Sequence, residues 1–208
     1  MSTRHGHADV GTPATTRPTT AQATTSTTES SQAAIVTTGP ARQALAVLRV
    51  GFGLTFLWAF FDKLLALGFS TGVDDKGIVD RFGPAAWING GSPTEGFLKF
   101  GADGPFQGFY NSIGGTVWAD SLFMFGLLGI GLALTFGFGI RIAAVGGFVL
   151  YLMMYSVALP AVNNPVIDDH ILGAISMVVL GLTLAGDTWG VGKAWSRQHL
   201  VQRFPFLR

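Results

Sequence analysis

The chain has no cysteine among its 208 residues. That excludes disulfides, cysteinyl iron–sulfur clusters, c-type haem attachment and thiol nucleophiles. Any redox chemistry must therefore use a bound organic molecule or a centre held by another subunit. Charge is scarce too: only 12% of residues are Asp, Glu, Lys or Arg, about half the usual share. The formal net charge of +1 leaves no basic footprint of the kind a nucleic-acid binder carries, and no nucleic-acid partner is expected. Of the four histidines, His5 and His7 sit in a polar tail and only His170 lies near a long apolar stretch. Haem bound inside a membrane usually takes two axial protein ligands, so neither haem nor a metal ion is expected here.

What the chain does have is apolar sequence in long runs. Most charges fall in the tails and one long loop, which leaves nearly uncharged windows of about 18 or more residues, matched to a bilayer core of about 30 Å. The fold class expected is all-α: a polytopic membrane four-helix bundle with a long outer loop that contains short interfacial helices. Spans are expected at about 41–68, 120–138, 140–160 and 168–186, within a transmembrane domain covering 41–190. Residues 1–40 are rich in Thr, Ser and Ala without apolar periodicity, which reads as a disordered tail. No apolar stretch typical of a secretory signal precedes Ala33, so the first span is expected to double as the targeting signal.

Orientation follows from Lys and Arg near the spans. Arg42, Arg49, Arg141, Lys193, Arg197, Arg203 and Arg208 fall on one side of an alternating bundle. The other side carries Lys63, Lys76, Arg81 and Lys99 dispersed over an Asp-containing loop, together with Asp168 and Asp169. The expectation is a multi-pass plasma-membrane protein with both termini cytoplasmic, including a basic tail at 191–208. Arg49 lies several residues inside the first span and is expected to pair with Asp187.

The loop at 69–119 is too long for an idle connection. Ser92-Pro93-Thr94-Glu95 forms a capping-box pattern with proline at the first helical position, and Phe97, Leu98 and Phe100 follow it. A short surface helix is expected there, and a second helical piece at 105–112. Gly126, Gly129, Gly131, Gly146, Gly147, Gly173 and Gly181 lie inside spans, where small residues let helices approach closely.

Ionisable residues close to hydrocarbon are costly and persist mainly where they pair or face a wet cavity. They gather here at one end. Trp58, Asp62 and Lys63 occupy the exit of the first span, and Asn163, Asn164, Pro165, Asp168, Asp169 and His170 precede or open the fourth. An aromatic with a snorkelling lysine is also a common interfacial anchor, and one aspartate suffices to cap the helix. Two aspartates followed by a histidine exceed what a cap needs, and His170 paired with Asp169 or Asp62 would make a proton-transfer site. A pocket holding Lys63 and His170 against Asp62 and Asp169, with Trp58 and Trp87 as walls, would suit an anion or a quinone headgroup. A quinone needs hydrogen-bond donors to its carbonyl oxygens, apolar contact to its ring and a proton route to water.

The first span, LRVGFGLTFLWAFFDKLL with Arg49, Gly53, Phe56, Lys63 and Leu64, resembles the opening helix of DoxX-type membrane proteins. The loop segment GSPTEGFLKF and the NPVIDDHI start of the fourth span resemble DoxD-type small subunits of thiosulfate:quinone oxidoreductases. The likeness covers about residues 41–195. It implies a four-helix plasma-membrane subunit that passes electrons, from thiosulfate at the outer face, to quinone as acceptor. Lys63 takes the place of the family's lysine after the first span, and Asn164, Pro165, Asp169 and His170 match its fourth-span start. Asp62 and the Thr-rich tail depart from the pattern. The expected assignment gives Lys63, His170 and Asp169 catalytic roles and Trp58, Asp62, Trp87, Asn164 and Asp168 binding roles. Its partners are the lipid bilayer and a second oxidoreductase subunit or respiratory complex. The rival reading is a non-catalytic membrane scaffold that docks such a complex.

Overall fold

The computed structural model describes residue 1 and residues 31–161, 164 and 166–208. The tail up to residue 30, Asn163 and Pro165 lie outside the described residues. The described chain is helical: α1 (Gln32–Ile35), α2 (Gly39–Leu65), α3 (Gln107–Ile113), α4 (Val117–Phe136), α5 (Ile140–Val157), α6 (Asp169–Leu182), α7 (Gly192–Ser196) and α8 (His199–Arg203). Three of these, α2, α4 and α5, are long and apolar enough to cross a membrane. At about 1.5 Å per residue, the 14 residues of α6 extend about 21 Å.

The expected boundaries shift by a few residues at most ends, and each shift has a local cause. Helix α2 starts at Gly39, with Pro40 in its first turn, and stops where Ala66 turns left-handed at φ 50°. Helices α4 and α5 are separated by Gly137, Phe138 and Gly139, and both glycines take positive φ, 81° and 56°. That lets the chain reverse in three residues. Helix α6 ends earlier than the apolar run does, because Leu184 turns left-handed and a 3₁₀ turn, Ala185–Asp187, follows. The tail boundary is corrected as well. Residues 32–35 form a helix, Gln32 is buried, and its backbone N–H donates to Asp187 Oδ2 at 3.0 Å.

Packing is pairwise. Helix α2 lies along α4 and α5 along α6, whereas α4 and α5 touch over a shorter length. Glycine sets both close pairs. A Cβ at Gly53 would stand 2.6 Å from the Thr135 backbone nitrogen, and one at Gly131 would stand 3.0 Å from the Leu57 nitrogen. On the other pair, Gly173 lies against the Tyr151 ring and Gly181 against Ala144, with hypothetical Cβ distances of 2.6 and 2.7 Å. Between the pairs a shared core forms from Phe56, Phe60, Met124, Leu127, Leu134, Met177 and Leu180, with Tyr151 packed edge-on against Phe52 and Phe56.

The end of the molecule that carries the chain termini is closed by a buried polar cluster. Arg49 is fully buried and its guanidinium donates to four backbone carbonyls: Leu134 and Thr135 through Nη1, and Thr188 and Trp189 through Nη2. The first two are among the last carbonyls of α4, which have no partner inside their own helix. The expected pairing of Arg49 with Asp187 is therefore corrected: Asp187 is bridged by Arg208, Nη2 to Oδ2 at 3.0 Å.

Candidate functional site

At the opposite end, residues 66–116 cover the helices. Ser92 acts as the expected cap, its Oγ accepting from the Glu95 backbone at 3.1 Å. The helix that follows is a single π-helical turn, Gly96–Phe100, and the second expected piece is α3. Two latches hold this cover down. The buried Asp120 carboxylate on α4 accepts from Ser92 Oγ, Thr94 N and Thr94 Oγ1 at 2.8, 3.1 and 2.6 Å. On the α5 side the Tyr110 hydroxyl donates to Ser156 Oγ at 2.5 Å, and Ser156 in turn donates to the Met153 carbonyl.

Beneath the cover lies a cavity of about 890 Å³, walled by α4, α5, the π-helical turn and α3. The size falls at the upper end of the ~300–1,000 Å³ typical of small-molecule sites. Its walls are mainly aliphatic and aromatic: Phe97, Leu98, Trp118, Leu122, Phe123, Ile130, Val149, Leu150, Met153, Met154 and Val157 contribute. Polar groups collect at the covered end, where Lys63, Ser70, Thr71, Ser92, Thr94 and Tyr110 line it. Among the described residues, Lys63 is the one charged side chain in its walls.

Lys63 is held there by a short chain of hydrogen bonds. Its Nζ donates to Ser70 Oγ at 3.1 Å, and Ser70 Oγ donates to Asp62 Oδ2 at 2.7 Å. Asp62 is buried and also accepts from the backbone N–H groups of Phe69 and Ser70, at 3.2 and 2.9 Å. The serine has one hydroxyl proton, so the chain runs in one direction, from ammonium through hydroxyl to carboxylate. An ammonium has three donors. One goes to Ser70, and the others can serve a carbonyl or an anionic oxygen in the cavity. Asp62 thus organises the turn after α2 and supplies Lys63's counter-charge, rather than lining the cavity itself.

The remaining expected site residues fall elsewhere. Trp58 is half exposed on α2, stacked edge-on with Phe69 at 4.9 Å. Trp87 packs against Phe125 at 6.1 Å and on the shared core. Neither is a cavity wall. Asn164 is exposed and shapes the approach to α6, its Oδ1 accepting from Val166 N and Ile167 N at 2.9 and 3.1 Å.

His170 is oriented by Asp168, which corrects the expected pairing with Asp169. Asp168 Oδ1 accepts from the backbone N–H of His170 and Ile171 at 3.0 and 3.1 Å, capping α6, while Oδ2 meets His170 Nδ1 at 2.7 Å. Asp169 points to the exterior. A carboxylate offers only acceptors, so this geometry suits an Nδ1–H donor on the ring and leaves Nε2 outside the contact. This pair is not part of the cavity wall that contains Lys63. Among the described residues, no group of three His, Asp or Glu gathers as a metal site.

Sequence reading missed Ser70, Tyr110 and Asp120, whose roles depend on contacts made across the loop. It also misread Gly126 and Gly146. Both line the cavity: a Cβ at Gly126 would meet nothing within 4 Å, and one at Gly146 would make only an ordinary contact with Ile130 of α4, at 3.4 Å.

The structure thus defines an all-helical protein with three membrane-length helices and an apolar cavity whose polar end is covered by a long loop. No protein family, no curated protein and no solved structure matches the chain.

Proposed function

We propose that this chain is a membrane subunit of a quinone-linked oxidoreductase and that the cavity between α4 and α5 receives the quinone. One observation carries the reading: a largely apolar cavity of about 890 Å³ with Lys63 as its one charged wall among the described residues. Lys63 donates to a quinone carbonyl, the aromatic and aliphatic walls contact the ring, and the Ser70–Asp62 chain keeps the ammonium in place. Reduction of a quinone takes two electrons and two protons. The electrons come from a donor outside this cysteine-free chain. The resemblance to DoxD-type subunits favours thiosulfate as that donor. His170, held by Asp168 on the same end, serves as a proton carrier.

In the proposed arrangement α6 is the fourth crossing and completes an antiparallel bundle with α2, α4 and α5. Its 14-residue helix is short for a bilayer core of about 30 Å, and local thinning or the flanking 3₁₀ turn makes up the difference. The excess of Lys and Arg at the end opposite the covered cavity favours that end as the cytoplasmic one of a plasma-membrane protein, with the cavity's covered end outside. Because the natural chain has no cysteine, single cysteines report cleanly. Lys76→Cys is expected to react with a membrane-impermeant maleimide in intact cells, and Gln198→Cys only after lysis. The reverse pattern would invert the topology.

Quinone binding to the purified protein and thiosulfate-driven quinone reduction by the protein with its co-purifying partners test the function. Lys63→Met is expected to weaken quinone binding about tenfold or more, the scale of one or two charge-assisted hydrogen bonds. His170→Ala is expected to leave binding intact and to slow turnover by about 10²-fold, the lower range for loss of an acid–base group. Unchanged quinone affinity in Lys63→Met removes the cavity as the headgroup site. A wild type that binds no quinone yet co-purifies with a respiratory complex assigns the chain to the scaffold class.

A further inference from the structure

We infer that the quinone's apolar tail lies in the cleft between α4 and α5 and reaches it sideways from the bilayer, with Gly126 and Gly146 setting the width of that path. This rests on the reading that Lys63 holds the headgroup. Glycine weakens a helix interior relative to alanine; at Gly131 and Gly147 a neighbour too close for a Cβ explains it, whereas Gly129 stands in open space away from the cavity. At Gly126 the space is open, and at Gly146 it holds only an ordinary contact with Ile130. Both glycines are cavity walls. What a side chain there would occupy is the cleft itself.

Depth and exposure agree with a tail path. Gly126 lies nine residues after Val117, the start of α4, and Gly146 lies eleven residues before Val157, the end of α5. At about 1.5 Å per residue these positions are about 14 and 17 Å below the covered end, near the middle of a bilayer core of about 30 Å. There Ile130 against Gly146 closes the cleft's floor, just above the point where the α4–α5 hairpin draws the helices together. Leu122, Val149 and Met153 line the cavity and are nevertheless 69%, 49% and 41% exposed. The cleft is therefore open along its side, on the surface that faces lipid acyl chains. A ligand whose polar head sits at Lys63 and whose chain descends past Leu122 toward Gly126 matches this gradient from polar to apolar.

The experiment measures binding of two probes to the full-length protein in nanodiscs, read by quenching of tryptophan fluorescence, since Trp118 is a cavity wall. One probe is a benzoquinone with a long isoprenoid tail; the other is the same ring without a tail. The wild type is expected to favour the tailed probe at least tenfold. Gly126→Leu is expected to weaken the tailed probe at least tenfold and the tail-less one less than twofold. Gly129→Leu is the control: it lies on the same helix, has nothing within 4 Å of its Cβ position and is not a cavity wall, so it should behave as wild type. Equal effects of Gly126→Leu and Gly129→Leu overturn the tail path, as does a wild type that binds both probes equally well, which leaves the headgroup site standing. Displacement of the tailed probe by phosphatidylglycerol at equal concentration assigns the cleft to phospholipid and also overturns it. A wild type that binds neither probe overturns the headgroup reading and the tail path together.

Discussion

Replacing Arg49 with methionine is expected to lower the protein's stability by at least about 3 kcal/mol. The guanidinium serves four carbonyls from two segments far apart in sequence. Each buried acceptor left without a donor costs about 1–3 kcal/mol, and a cation at the end of α4 is further favoured by the helix dipole, by about 0.3–1 kcal/mol. Methionine keeps most of the stem's packing and removes every one of those bonds. Arg49→Lys is expected to recover less than half of the loss, because an ammonium cannot reproduce a planar fork that reaches both pairs of carbonyls. Thermal unfolding in detergent measures all three proteins. Adding Asp187→Arg to Arg49→Asp should restore nothing, since Asp187 is engaged with Arg208 and Gln32; recovery in that double variant would reinstate a direct Arg49–Asp187 contact.

The second large effect is a pair of identical substitutions with opposite signs. Gly53→Ala is expected to destabilise by about 1–3 kcal/mol, the range for overpacking a closed contact, because the new Cβ would stand 2.6 Å from the Thr135 backbone nitrogen. Backbone cannot rotate aside as a long side chain can, so α2 and α4 must separate along their whole seam. Gly126→Ala is expected to be neutral or stabilising by up to about 1 kcal/mol, the gain in helix propensity, since nothing stands within 4 Å of its Cβ position. The same unfolding assay reads both. A Gly126→Ala protein as unstable as Gly53→Ala would mean that α4 and α5 close on each other at that level and that the cleft does not persist.

These two glycines also show where sequence reading reaches its limit. The three long apolar helices α2, α4 and α5 were legible because they depend on local quantities: length, lack of charge and the turn chemistry of Gly137 and Gly139. The Ser92–Glu95 cap was legible for the same reason, being a contact between residues three apart. Glycine, by contrast, looks the same in a tight seam and at the side of a cavity, and only the neighbouring helix tells them apart. Arg49 was visible as a charge inside an apolar run, but its partners are main-chain carbonyls, which no residue type marks. Lys63 lies at the polar end of the cavity, apart from the other residues expected beside it. Its link to Asp62 passes through Ser70, in a loop whose path no periodicity reveals. The choice between Asp168 and Asp169 as partner of His170 depended on which of the two caps α6, and adjacent carboxylates in sequence leave that open.

The arrangement around Arg49 bears on how the chain is made. Synthesis runs from the N-terminus, so in the proposed membrane arrangement α2 leaves the ribosome and meets the bilayer before the carbonyls of residues 134, 135, 188 and 189 exist. A guanidinium inside a membrane-crossing helix opposes insertion, by less than the ~2.5–3.5 kcal/mol of one at the bilayer centre when it lies toward an end as Arg49 does, and during that interval nothing in the finished fold offsets it. The Leu, Phe and Trp residues between Leu54 and Leu65 must carry the segment into the membrane by themselves. Several of them, Leu54, Trp58 and Phe61, remain exposed in the completed fold. In the proposed membrane arrangement that exposed surface faces lipid and holds the first helix in place while its arginine waits for the rest of the protein.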